Sequence, residues 1–365
     1  MKHSWSDGRS GKSNEASSLG SSRRTVKAMA DRVKREQTAP TAPVFLFGFD
    51  RSGTTLLSMM VGAHPRLAVP LSTTGLWYRY GRLLDHYDQL GTAANVELLV
   101  QDLLQEERIR LWDVKLSRDS VLKGLTPCSY PTVIARFHSL YAQSKGKDLW
   151  GNIDIATLDD MDMAASWFPR ARFIHIVRDG RDVALSHETM PYGTSNVAEC
   201  ALRWTQRLHT NLKMGAILGP NRYLVVRYED LVLDTKSALR RMCEFLDLSY
   251  SAQMLEYTSM VKQKIPDDRR WLWPALDQPP VESKVYRWKR EMSETKRIVF
   301  ENTADKMLSK LGYETYSRIP KRASAYLLEL WYFLGQRGRF RRFAAKLGLQ
   351  RPSRLERQWQ AKKKP

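Results

Sequence analysis

The chain has 365 residues, 42% of them hydrophobic, and a formal net charge of +20 at pH 7, enough apolar material for one large α/β core with no need of a second full domain. No apolar run approaches the ~18 to 20 residues of a membrane span and no apolar leader follows the start, so a cytoplasmic protein is expected. Cys128, Cys200 and Cys243 are widely spaced and lack a CxxC pair, which argues against a disulfide scaffold or a zinc site and suits a reducing compartment.

Residues 1–43 are rich in Ser, Gly, Lys and Arg without apolar periodicity, and predict a basic, disordered tail. A strand is predicted over Val44–Phe49. The run VFLFGFDRSGTT then turns through a cationic loop and restarts as Leu56, Leu57, Met59 and Met60. Strand, loop and helix in this order aim the unpaired amides of a helix N-terminus at one spot, where the helix dipole and Arg51 favour phosphate or sulfate. Gly48 and Gly53 have the offset of a Walker loop, but Thr54 stands where the phosphate-gripping lysine belongs. A kinase-like triphosphate site thereby loses its main cation, while Arg51 offers a planar fork for a terminal oxyanion.

Helices are predicted through roughly 58–105 and across 132–143. A second strand, Phe173–Val177, ends in Arg178-Asp179-Gly180-Arg181-Asp182, and a helix over 182–189 follows with Ser186 on it. A long guanidinium at the turn and a hydroxyl two turns later suit one phosphate, although the charges equally suit ion pairing on a solvated helix start. A helix at 198–218, a strand Tyr223–Tyr228 and a helix at 235–246 come next. Phe300, Ala304, Met307, Leu308 and Leu311 lie on one face of a late helix. Alternating strands and helices imply an α/β fold, a central parallel sheet flanked by helices in a P-loop-like three-layer sandwich, with ligands at the carboxyl ends of the strands.

Residues 321–365 form a basic extension with thirteen Lys/Arg against two Asp/Glu, and residues 1–43 hold nine against four, so most of the +20 sits outside 44–320. The aromatic-rich stretch Ala325–Leu334 followed by RGRFRRFAAKLG suits an amphipathic helix on an anionic membrane surface, which would make the protein peripheral to a membrane; packing on the core or a second subunit is the alternative. No helix-turn-helix, zinc-finger or aromatic RNA-binding signature surrounds these charges, so specific nucleic-acid binding is not expected.

Taken together, the two loops closely resemble those of the sulfotransferases that use 3′-phosphoadenosine 5′-phosphosulfate (PAPS), in particular the bacterial and tyrosylprotein branches with an arginine in the first loop. Phe168–Arg172, Arg227-Tyr228-Glu229-Asp230-Leu231, Arg287-Trp288-Lys289 and Leu311-Gly312-Tyr313 extend the resemblance over most of residues 43–316. It implies a sulfotransferase domain over 44–320 with PAPS as cosubstrate and no metal. Arg51, Ser52, Gly53, Thr54 and Thr55 would hold the 5′-phosphosulfate, Arg178 and Ser186 the 3′-phosphate, and Tyr228 the adenine. Arg287 would assist from a closing loop. Arg51 is the expected stabiliser of transition-state charge. The acceptor would be a hydroxyl, or less readily an amine, of a glycan, lipid or small metabolite.

Two departures fall where acid–base chemistry is expected. The usual glutamate base aligns with Ser72, and a lysine of relatives aligns with Ile153. A relocated base, an acceptor that needs little base, or a nucleotide-binding scaffold without transfer activity would each account for the losses. Asp154 is the candidate relocated carboxylate, or else a helix N-cap before Leu158; His187 is a second candidate, or else core filling. Leu76–Tyr80 and Trp271–Pro274 are candidate acceptor walls or core packing.

Overall fold

The computed structural model describes residues 42–316 apart from 72–74, 126–127, 154–157, 191–192, 195, 266, 268–275 and 277. Asp154, Ser72, Trp271–Pro274 and both basic tails lie outside the described residues. Strands β1 (Val44–Gly48), β2 (Leu67–Ala68), β3 (Leu149–Ile153), β4 (Arg172–Val177) and β5 (Tyr223–Arg227) form one parallel sheet in the order β2-β3-β1-β4-β5. The main flanking helices are α1 (Thr54–Gly62), α2 (Ala93–Gln105), α3 (Tyr130–Ser144), α4 (Leu158–Trp167), α5 (Gly180–Glu188), α6 (Val197–Leu218), α7 (Thr235–Phe245) and α8 (Glu294–Lys310).

Period-two alternation sorts the strand residues onto two faces. Phe45, Phe47, Trp150, Phe173 and Tyr223 pack on one side, whereas Val44, Leu46, Ile153, Ile174, Ile176 and Val226 pack on the other. The rings stack in register: Phe45 on Phe173 with centroids 5.2 Å apart, and Phe47 on His175 at 4.8 Å. Each such ring, once buried, contributes roughly 1.5–3 kcal/mol. His175 Nδ1 meets the Tyr223 hydroxyl at 2.7 Å, and complete burial lowers its pKa to about 3, so it is a neutral core histidine.

The structure corrects several expectations. The predicted helical stretch 58–105 is interrupted by β2, and β3 was not anticipated, because LWGNI carries Gly and Asn inside a five-residue run. Tyr228 does not end a strand; it opens a short helix, Tyr228–Leu233. In α8, Phe300, Ala304, Met307 and Leu308 are buried as the offset pattern requires, and Phe300 packs on Trp204 of α6. Cys200 and Cys243 are free and buried, and Cys128 is free and half-buried.

The site follows from where β1 and β4 lie. They are neighbours at the centre of the sheet, and the chain leaves β1 toward β2 on one side but leaves β4 toward β5 on the other. Ligands of open α/β sheets bind at this kind of switch point, outside the carboxyl ends of the strands. Both polar loops read from the sequence emerge there.

Candidate functional site

The first loop is a tight turn closed by the Ser52 amide on the Phe49 carbonyl at 3.1 Å. Arg51 takes a left-handed conformation (φ 67), uncommon for a residue with a side chain and worth about 1 kcal/mol of strain, of the kind found at ligand clamps. Gly53 (φ 95) caps α1 and supplies no side-chain acceptor for the amides behind it. A Cβ there would lie 2.5 Å from the Tyr228 ring, so glycine is demanded by both backbone and space.

The second loop is fastened from below. Trp204 Nε1 donates to the Arg178 carbonyl at 3.2 Å, and a Cβ on Gly180 would lie 2.4 Å from Phe300, so the start of α5 can sit on α6 and α8 only as glycine. Arg178 lies over the Tyr228 ring, 4.2 Å from its centroid. Its Nη1 donates to the Arg51 carbonyl at 3.1 Å and its Nη2 to the Lys284 carbonyl at 2.7 Å. Arg51 Nε donates to Ser186 Oγ at 3.1 Å. The two loops, far apart in sequence, thus meet through one side chain–backbone and one side chain–side chain bond.

They enclose a cleft of about 280 Å³. Arg51, Gly53, Thr54, Thr55, Arg178, Ser186, Tyr228 and Arg287 all line it. Ser52 does not; it is buried beneath the loop, with its hydroxyl unpartnered among the described residues. Thr189, Val281 and Lys284 also line the cleft and were not singled out from the sequence; the one signal was that Lys284 stands three residues before Arg287 in a basic stretch. Among the described residues, the polar lining is rich in donors and carries no carboxylate. Buried Nε atoms of Arg178 and Arg287 lack a partner among the described residues, as a site built for anionic oxygens requires.

Behind the cleft the remaining charges of the second loop pair with one another. Arg181 bonds Asp179 at 2.8 Å and Glu301 at 2.6 Å, all essentially fully buried, and its guanidinium lies 3.6 Å from the Trp288 ring centroid. Trp288 donates through Nε1 to Asp179 at 3.0 Å and through its amide to Asp182 at 2.8 Å. The ion pairing considered for a solvated helix start is therefore real but buried, and it fixes the segment that carries Arg287.

Glu229 completes this frame, accepting from the Asp179 amide at 2.9 Å and the Tyr313 hydroxyl at 3.0 Å. Burial pushes its carboxyl up to about 7, outweighing the Asp179 amide and the partly exposed Arg227, 3.8 Å away. The folded protein therefore holds this proton more tightly than the unfolded chain, whose carboxyl titrates near 4.5. Measured against a Glu229→Gln variant, stability should fall by roughly 3 kcal/mol as pH rises from about 4.5 to about 7. Urea denaturation of both proteins at pH 4.5 and pH 8 tests this; a difference that does not change with pH would contradict it.

Of the acid–base positions, Ile153 and His187 fall within the described residues. Ile153 closes β3 inside the aliphatic face of the core. His187 is turned against Phe49, centroids 5.7 Å apart, and burial lowers its pKa to about 4; it does not line the cleft. Among the described residues, no cluster of three or more His, Cys, Asp or Glu is placed to hold a metal ion, and no helix is long and apolar enough to cross a membrane.

Comparison with known proteins agrees with this geometry. The chain is 24% identical over 288 residues to the protein-tyrosine sulfotransferase of Drosophila melanogaster, covering 76% of this chain and 52% of the relative. A putative protein-tyrosine sulfotransferase of Caenorhabditis briggsae is 24% identical over 287 residues, covering 76% of this chain and 91% of the relative. The chain thus spans about half the length of the Drosophila relative, and likewise 56% of the Danio rerio protein-tyrosine sulfotransferase 1. The fold matches the sulfotransferase domain of the Synechococcus PCC 7002 olefin synthase with a TM-score of 0.53 at 21% identity, over 76% of this chain and 97% of that domain. The sequence profile of the Sulfotransferase family matches residues 43–252, more than half of the chain and both polar loops, and the chain belongs to that family.

Proposed function

We propose that the chain binds PAPS in this cleft and transfers its sulfuryl group to a hydroxyl acceptor, with residues 44–320 as the catalytic domain. The observation that carries the proposal is the convergence of Arg51, Arg178, Ser186 and Arg287, contributed by three separate segments, on one cleft at the switch point. PAPS supplies an activated sulfuryl group on a phosphate leaving group. Arg51, Gly53, Thr54 and Thr55 would hold the 5′ end, with Ser52 supporting the turn from beneath. Arg178 and Ser186 would hold the 3′-phosphate, and Tyr228 and Arg287 would bound the nucleoside and closing side. This arrangement fixes the reacting bond by gripping both ends of the donor, so that positioning and charge stabilisation supply most of the rate.

The relatives are named for protein tyrosine, and on that ground a phenolic hydroxyl in a peptide is the first acceptor class to test, ahead of glycan, lipid and metabolite hydroxyls. A nucleotide-binding scaffold is the second reading, favoured by the apolar Ile153.

Calorimetry with adenosine 3′,5′-bisphosphate tests the cleft itself. Arg178→Ala should weaken binding about 10- to 100-fold, since a charge-assisted contact contributes about 1.5–3 kcal/mol. Equal affinities would remove the 3′-phosphate assignment. Radiolabelled PAPS with a tyrosine peptide then separates a transferase from a scaffold.

A further inference from the structure

β4 and β5 run parallel with Val177 opposite Arg227, so the next residues, Arg178 and Tyr228, leave the two strand ends side by side. Glu229 ties down the same edge by accepting from the Asp179 amide at 2.9 Å. Resting on the placement of the 3′-phosphate at Arg178 proposed above, we infer that Tyr228 is a positioning residue. Its ring braces the Arg178 guanidinium against the first loop and so sets the preference of the cleft for a nucleotide that carries a 3′-phosphate.

The ring touches both loops at once. Only the missing side chain of Gly53 lets it reach the first loop, since a Cβ there would lie 2.5 Å from Tyr228 Cδ2 and 2.9 Å from Cε2. From the second loop, Arg178 Cζ lies over the same ring, 4.2 Å from its centroid. Tyr228 is itself buried and opens its short helix directly at the end of β5, so the ring stands on a fixed base. The other groups around the guanidinium are the Arg51 and Lys284 carbonyls and, 3.5 Å away, the Asp182 carboxylate. Both carbonyls belong to connecting segments rather than to the sheet.

An arginine side chain loses much rotamer freedom when it is held in one geometry. A ring beneath it bears part of that cost before any ligand arrives, through an attraction that grows as water is excluded. Arg178 and Tyr228 both line the cleft, so an oxyanion there meets a planar fork already in place. A nucleotide that lacks the 3′-phosphate gains nothing from this order. The ring therefore acts on the choice between nucleotides, beyond bounding the nucleoside.

The test compares adenosine 3′,5′-bisphosphate with adenosine 5′-monophosphate by calorimetry on the full chain. Any contribution common to both, such as packing on the base or support of the first loop, cancels in the ratio of their affinities. Tyr228→Phe keeps the ring and should leave that ratio within about threefold of wild type. Tyr228→Leu should lower it about tenfold, the size of a desolvated cation–ring contact, and Tyr228→Met, a second ringless variant, should do the same. In an Arg178→Ala background, Tyr228→Leu should shift the ratio by less than about threefold, because the group that the ring braces is gone. An unchanged ratio in both ringless variants, loss of both nucleotides in both, or a fall of about tenfold that persists without Arg178 would overturn the assignment while leaving the 3′-phosphate reading intact. A ratio that Arg178→Ala itself leaves unchanged would overturn that reading, and this assignment with it.

Discussion

Replacing Arg51 by alanine is expected to lower kcat by about two to three orders of magnitude, the usual loss when one preorganised donor is removed from developing charge. The fold should be unaffected, because alanine is as strained as arginine at φ 67 and the exchange changes no backbone cost. Arg51→Gly, which relieves that strain, separates the two contributions: it should be as inactive as the alanine variant and somewhat more stable. Arg51→Lys keeps the charge but loses the Nε bond to Ser186 and the planar fork, so it should recover only part of the rate. Single-turnover transfer from radiolabelled PAPS measures the effect on chemistry. A loss smaller than about tenfold in Arg51→Ala would move the charge-stabilising role elsewhere.

Arg181→Ala should be the most destabilising single exchange near the site, by about 3–5 kcal/mol, because it strands the Asp179 carboxylate in a dry interior and leaves Glu301 with Arg297. Asp179 and Glu301 are each about 1% exposed or less; Asp179 takes its ion pair from this guanidinium, while Glu301 shares it with Arg297 at 3.3 Å. The Trp288 ring also loses the cation that covers it. Adding Asp179→Asn should restore part of the loss by removing the stranded charge. Guanidinium denaturation of the single and double variants measures this. A loss below about 1 kcal/mol would mean that the network is solvated rather than buried. Since Trp288 carries Arg287 into the cleft, the single variant should bind nucleotide more weakly even where it remains folded.

What the sequence made legible was whatever is written locally. The first loop needs a glycine at positive φ, an arginine and a helix start, and all three stand consecutively in DRSGTT. β1, β4 and β5 announced themselves through apolar runs of five or six residues, and α8 through its four-residue spacing. β2 and β3 did not. Two residues cannot display a period, and LWGNI is held as a strand by its register against β1 and β2 rather than by its own composition. The wall of the cleft from Pro280 to Lys284 was equally hidden. It is placed by long-range bonds, Arg178 to the Lys284 carbonyl and Trp288 to Asp179 and Asp182, which no local pattern encodes. The cluster Arg178-Asp179-Gly180-Arg181-Asp182 shows both kinds of information. Its charges were evident, but only the fold divides them into one arginine lining the cleft and three residues turned inward to hold it.

The two η nitrogens of Arg178 tether carbonyls on opposite rims, Arg51 and Lys284. Each of those nitrogens carries a second proton, and Nε has no partner among the described residues, so an oxyanion can be gripped without breaking either tether. One side chain therefore sets the width of the cavity's mouth and still has donors to spare for whatever enters it.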